Sequence, residues 1–149
     1  MLTTYAKRHP LKNYFPVPNA VFDLELHHIA INVYAYLLRI EDRRTYQCIA
    51  SYPAIAKKLG LSVNTVMKYV RMLEERGLVR TEHTEFITRD GDKRNGRLRY
   101  HILPIQNALD LYHERKLSEL ELAAARQKAK TKAEKLGLGF IPAEDGESA

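Results

Sequence analysis

Five side chains within ten residues carry the most specific chemistry in this chain: Ser62, Asn64, Thr65, Lys68 and Arg71. A carboxamide such as Asn64 can form a paired hydrogen bond with adenine, and Lys and Arg can address guanine or a phosphate. Spaced by three and four residues on a helix, these groups and Met72 project to one side. Val66, Val70 and Leu73 recur at i, i+4 and i+7 on the other side, as a face meant for burial. Ser62, Asn64 and Thr65 fall at the N-terminal end, where unpaired backbone amides attract anions. The same residues also have plainer uses, Ser62 as a helix cap and Lys68 and Arg71 as a solvated face.

The flanking residues explain how such a helix is positioned. Ser51 is a capping residue, since its hydroxyl can accept from a first-turn amide. Pro53 falls in that first turn, where its missing N–H costs nothing. Ile55, Ala56 and Leu59 form an apolar face. Gly60 can take the left-handed conformation that closes a helix, Leu61 returns to the core, and Ser62 caps the next helix, Val63–Glu75. Gly77 then stops it. Thirteen helical residues span about 20 Å, enough to lie in a major groove. Two short helices across a tight turn form a helix-turn-helix, whose second helix meets base edges with its N-terminal residues.

A β-hairpin is expected next. Thr81–Thr88 lead into Arg89–Gly96, whose Asp90-Gly91 and Asn95-Gly96 pairs mark a turn between strands. From Arg97 to Leu103 the pattern alternates, with Leu98, Tyr100 and Ile102 on one face and Arg97, Arg99 and His101 on the other, as in a half-buried strand. Arg89, Lys93, Arg94 and Arg97 place four cations in nine residues. Beside a reading helix they suit a phosphate backbone, although they also serve solubility. The fold class expected is mainly α with a small antiparallel hairpin (α+β), a winged helix-turn-helix followed by a long C-terminal helix.

Before residue 51, residues 1–18 read as a basic arm. Pro10, Pro16 and Pro18 oppose regular helix, while Lys7, Arg8, His9 and Lys12 alternate with Tyr5, Tyr14 and Phe15. Two readings stand for it: packing on the domain or disorder, or following a DNA groove. Asn19 is placed to cap a short turn, Ala20–Leu24, burying Val21, Phe22 and Leu24. A long helix, His27–Arg39, should turn Ile29, Val33, Tyr36 and Leu37 inward. Glu41–Arg44 make a charged turn, and Thr45–Ile49 a short strand that pairs with the wing. Ser51, Tyr52, Arg43 and Arg44 are weaker, flanking candidates for contact with DNA.

From Ile105 to Leu136 no Gly or Pro occurs, and strong helix formers dominate. Such a helix would be about 48 Å long. Its apolar residues thin out after Leu122 and keep no heptad, which argues against a long coiled coil. Its first half can dock on the domain or on a second copy, so a homodimer through this helix is expected. Residues 137–149 read as an acidic, disordered tail.

Residues 15–103 resemble winged-helix domains encoded on bacterial mobile elements and phages, among replication initiators and transcription regulators. The segments that carry the likeness are FPVPNAVFDL (15–24), AINVYAYLLRIEDRRTYQC (30–48), SYPAIAKKLGLSVNTVMKYVRMLEERGLV (51–79) and DGDKRNGRLRY (90–100). Residues 51–79 also resemble the reading heads of GntR- and MarR-type regulators. One departure is His27-His28, where a small capping residue is usual.

The charge distribution agrees. The formal net charge is +6, with a pI near 9.4. Residues 1–104 hold 17 Lys and Arg against 10 Asp and Glu, whereas residues 105–149 hold 7 against 8. The positive field therefore belongs to the expected winged helix, as attraction to phosphate requires. The single cysteine, Cys48, excludes an intramolecular disulfide and fits a reducing compartment, and the expected location is cytoplasmic and nucleoid-associated. Met1–Tyr5 run into Lys7-Arg8 without a signal-peptide pattern, and no apolar run approaches a membrane span.

Enzymatic readings find little. His9, His27, His28, His83, His101 and His113 lack metal-ligand spacing with Cys48 or a carboxylate, and no phosphate-binding Gly loop or nucleophile elbow occurs. Neither catalytic residue, cofactor nor metal is expected. The leading expectation is sequence-specific double-stranded DNA binding by a transcriptional regulator, a repressor of a mobile element or phage region. Two alternatives stay open: a replication-initiation or primosome protein that recruits a helicase or loader, and a winged-helix module that binds protein.

Overall fold

The computed structural model describes residues 13–137, with the side chains of Phe86 and residues 93–96 outside the described set. The expectations for the first twelve residues and for 138–149 lie outside it too. Among the described residues the order is a 3-10 turn (Asn19–Asp23), α1 (His28–Ile40), β1 (Gln47–Ala50), α2 (Tyr52–Leu59), α3 (Val63–Glu75), β2 (Val79–Ile87), β3 (Lys93–Ile102) and α4 (Ile105–Lys135). This is the α+β arrangement expected. The chain divides into two units after Leu111, so α4 begins in the first and continues through the second.

Helix ends follow local hydrogen-bond chemistry. Ser51 Oγ accepts from Ala54 N at 3.2 Å, and Ser62 Oγ from Thr65 N at 3.1 Å. Gly60 closes α2 at φ +68°. Gly77, at φ +75°, closes α3: Leu78 N donates to Leu73 O at 2.9 Å and Gly77 N to Glu74 O at 3.0 Å, which satisfies carbonyls the helix would leave unpaired. At the start of α1 the cap is His27 itself, whose Nδ1 accepts from Ile29 N at 3.1 Å. The imidazole does there what a smaller side chain usually does.

The core joins the first three helices to one face of the sheet. Val33, Leu37, Ile55, Val66, Val70, Leu73, Leu78 and Tyr100 are fully buried. Several expectations need correction. Pro18, not Asn19, precedes the 3-10 turn, and no side chain caps it. Phe22 is 73% exposed, because in a turn this tight only Val21 and Leu24 face inward. In α1 the buried positions are Ala30, Val33, Tyr34, Leu37 and Leu38, while Ile29 and Tyr36 are half-buried. The stripe is rotated because α1 packs against both α2 and α3.

β3 lies at the centre of a three-stranded antiparallel sheet in the order β1-β3-β2. Cys48 pairs with Tyr100 on one side, and Thr81 with Tyr100 on the other. β1 starts later than expected because residues 42–46 form a turn. Asp42 O accepts from Tyr46 N at 2.7 Å, Asp42 Oδ1 accepts from Arg44 N at 2.8 Å, and Tyr46 sits at φ +56°. The hairpin turn is shorter than 89–96. Thr88 N donates to Asp92 O and Gly91 N to Thr88 O, both at 2.9 Å, with Gly91 at φ +84°. Asn95-Gly96, expected in the turn, therefore lies within β3. A register shift between His83 and Glu85 absorbs the mismatch.

Candidate nucleic-acid interface

The face of α3 opposite its buried stripe is a strip of polar and cationic side chains. Asn64, Lys68, Arg71 and Glu75 are exposed, with Met67 and Met72 half-buried beside them. They fall at steps of three and four residues, which a 3.6-residue repeat sets on one side. Val66, Val70 and Leu73 are fully buried on the other side, so the apolar anchor fixes the direction in which the polar strip points. Of these, Met67 and Glu75 were not expected. Their signal was present in the i+3 and i+11 spacing from Asn64.

Ser62 and Thr65 belong to the helix start more than to the strip. Ser62 Oγ lies 2.7 Å from Thr65 Oγ1 and also accepts the Thr65 amide. A hydroxyl engaged in this way orients the first turn of α3 and has less capacity left for an incoming ligand. Lys68 is held sideways, with Nζ 5.4 Å from the Tyr69 ring centroid. Tyr69 in turn stacks on His27 at 4.9 Å, and His27 on His28 at 4.2 Å. The strip is thus braced against the cap of α1 by rings that a pattern of apolar residues does not reveal.

The flanking candidates divide. Ser51 is occupied as the α2 cap. Tyr52 follows it, and burial raises its phenol above the ordinary range, with Glu74 adding to the rise and Arg71 opposing it. Tyr52 is therefore in the electrostatic reach of the α3 strip. Arg43 and Arg44 are exposed in the 42–46 turn, and Arg43 Nη2 donates to Tyr14 O at 3.5 Å. Arg43 serves the segment preceding the 3-10 turn. Lys57 and Lys58, exposed in the last turn of α2, were not among the candidates. Cations there also complement the helix dipole.

On the hairpin, Arg89 is exposed at the turn and Arg97 on β3. Lys93 and Arg94 lie on the β3 backbone, with side chains outside the described set. The Arg99 and His101 face of β3 is partly neutralised. Glu82 Oε2 stands 2.9 Å from His101 Nε2 and 3.7 Å from Arg99 Nη1. The hydrogen bond with His101 holds the Glu82 carboxyl below its usual range, with Arg99 adding to it. Glu74 accepts from both the amide and the hydroxyl of Thr81, joining the end of α3 to the start of the hairpin. Arg76 donates to the Leu24 carbonyl and ties the same helix end to the 3-10 turn.

Two helices joined by Gly60–Ser62, with the second helix presenting a polar strip, form a helix-turn-helix. Residues 24–79 match a helix-turn-helix domain family. With the β2–β3 hairpin following directly, the unit is a winged helix-turn-helix. No curated protein sequence matches the chain. Among solved structures, a possible transcriptional regulator from Methanosarcina mazei Go1 is similar at 20% identity, over 79% of this chain and 98% of that chain, with a TM-score of 0.49. Among the described residues, no helix of the winged helix-turn-helix or of α4 is long and apolar enough to cross a membrane.

Proposed function

We propose that this chain is a sequence-specific double-stranded DNA-binding regulator, with α3 as its reading helix. The observation that carries the reading is the two-sidedness of α3, with Asn64, Lys68 and Arg71 exposed opposite fully buried Val66, Val70 and Leu73. A helix held this firmly by one side can enter a major groove with the other. In this reading Asn64, Lys68 and Arg71 contact base edges, and Ser62 and Thr65 shape the N-terminal turn that approaches phosphate. Arg89, Lys93, Arg94 and Arg97 hold the flanking backbone, and Ser51, Tyr52, Arg43 and Arg44 stay peripheral. Residues 19–104 form the DNA-binding domain.

A salt series tests this. Contact with about six phosphates gives a slope of log K against log salt near −5. A flat response, or no duplex binding at low salt, would overturn the DNA reading.

The narrower reading, a repressor of a mobile element or phage region acting in the cytoplasm at the nucleoid, rests on the likeness of residues 15–103 to such proteins. We also propose pairing of two copies through α4, where Leu117, Leu120 and Leu122 are exposed. Operators that match a twofold dimer are palindromic. Sedimentation of the free chain at a mass near 17.2 kDa would overturn the pairing.

A further inference from the structure

Away from α3, a groove of about 430 Å³ opens between the end of α1, the 42–46 turn and the junction of β3 with α4. That volume falls within the range of small-molecule sites, which are mostly apolar with a few placed polar groups. Leu38, Ile102, Leu103 and Ile105 give the groove aliphatic walls, Tyr34 and Tyr46 give it aromatic ones, and Glu41 stands among them.

Glu41 gives the groove its charge. It is the C-cap of α1, so its carboxylate adds to the partial negative charge that unpaired carbonyls leave at a helix end. Its Oε2 is covered by protein without a hydrogen-bond partner among the described residues. Burial raises the Glu41 carboxyl above its ordinary range, with Arg43 only partly opposing the shift. The same charge reaches inward and adds to the burial that raises the Tyr34 phenol. Arg39, Arg43 and Arg44 are exposed nearby in sequence but do not line the groove. Arg43 Nη2 donates to Tyr14 O instead. A carboxylate so little compensated in apolar surroundings is costly, and a cation in the groove offsets that cost. The tyrosine rings favour the same guest, because an aromatic face attracts a cation and also packs on apolar groups.

We propose that this groove binds a small organic cation, an ammonium group carried on an aromatic or branched apolar body. The ammonium faces Glu41, and the body lies between Tyr46 and the aliphatic walls. An anion of the same shape is repelled, and a neutral analogue gains only the apolar contact. The volume suits a ring with a short chain and is too small for a folded partner. The proposal stands apart from the DNA reading.

Titration of the full chain with three probes of similar size, followed by amide NMR, tests it: phenethylammonium, phenethyl alcohol and hydrocinnamate. The ammonium should move the signals of Leu38, Ile102, Leu103 and Ile105 and leave those of Asn64–Arg71 in place. It should bind about tenfold tighter than the alcohol, the scale of one charge-assisted contact, and hydrocinnamate should bind most weakly. Glu41→Gln should remove the preference for the ammonium, while retained binding of the alcohol shows that the groove is intact. Equal affinity of ammonium and alcohol for the unsubstituted chain overturns the proposal, and this comparison decides the matter even if the variant fails to fold. A preference that survives Glu41→Gln overturns it too, as do shifts that fall outside the groove. Groove signals that move on dilution of the free chain assign the groove to a second copy and also overturn the proposal.

Discussion

Asn107 donates through Nδ2 to the carbonyl of Gly77 at 3.0 Å, so the first turns of α4 are fastened to the residue that closes α3. Gly77 is at φ +75°, and a Cβ there would stand 2.5 Å from Leu111 Cδ1 and 2.9 Å from Asn107 Nδ2. Gly60, at φ +68°, would meet nothing within 4 Å. Gly60→Ala should therefore cost about 1–2 kcal/mol for the left-handed backbone alone. Gly77→Ala should cost roughly 1–3 kcal/mol more, because it also overpacks the α4 contact. Denaturant unfolding of the two variants measures the difference, and equal losses would show that α4 yields freely.

On α3, substitutions should separate framework from readout. Ser62→Ala removes the acceptor for Thr65 N and should cost about 1 kcal/mol of stability. Asn64→Ala or Lys68→Ala should leave stability nearly unchanged and cost on the order of 1–3 kcal/mol at one base position. Sequences selected from random DNA by each variant provide the check. An unaltered preference would remove these two side chains from the reading surface.

The wing should behave differently. Lys93→Ala with Arg94→Ala is expected to weaken all duplexes about equally and to make the salt slope shallower by about one per lost phosphate contact. Binding isotherms on two unrelated duplexes across a salt range decide it. A change of preference between the duplexes would assign base contacts to the hairpin.

Alkaline pH should destabilise the core. Burial pushes the Cys48 thiol from 9.0 up to about 12, with Glu41 adding to the shift, and it pushes the Tyr34 phenol from 10.0 up to about 12, again with Glu41 adding. Between the ordinary and raised values the folded chain keeps protons that the unfolded chain has released, so stability falls as pH rises. These groups contribute fully below about pH 9, and the contribution is lost toward pH 12. Denaturant midpoints from pH 8 to 11 should be steady at first and then decline, and Cys48→Ala should move the onset toward the tyrosine value. A midpoint that climbs above pH 9 would contradict the burial of both groups.

Sequence alone determined the parts whose physics is local. Ser51 and Ser62 cap, and Gly60 and Gly77 terminate, because each satisfies backbone groups within a turn of itself. The Val66/Val70/Leu73 stripe follows from helical periodicity, so the outward direction of Asn64, Lys68 and Arg71 is legible in the sequence. Tertiary structure decided what depends on partners distant along the chain. Two Gly pairs could have formed the hairpin turn, and pairing of β2 with β3 selected Asp90-Gly91 and left Asn95-Gly96 in the strand. Tyr34 is inside because the neighbours of α1 rotate its buried face, and Phe22 is outside because the 3-10 turn faces only Val21 and Leu24 inward. The His27–Tyr69 stack, the Thr81–Glu74 link and the Asn107–Gly77 bond join residues 7 to 42 positions apart, and nothing in local spacing encodes them.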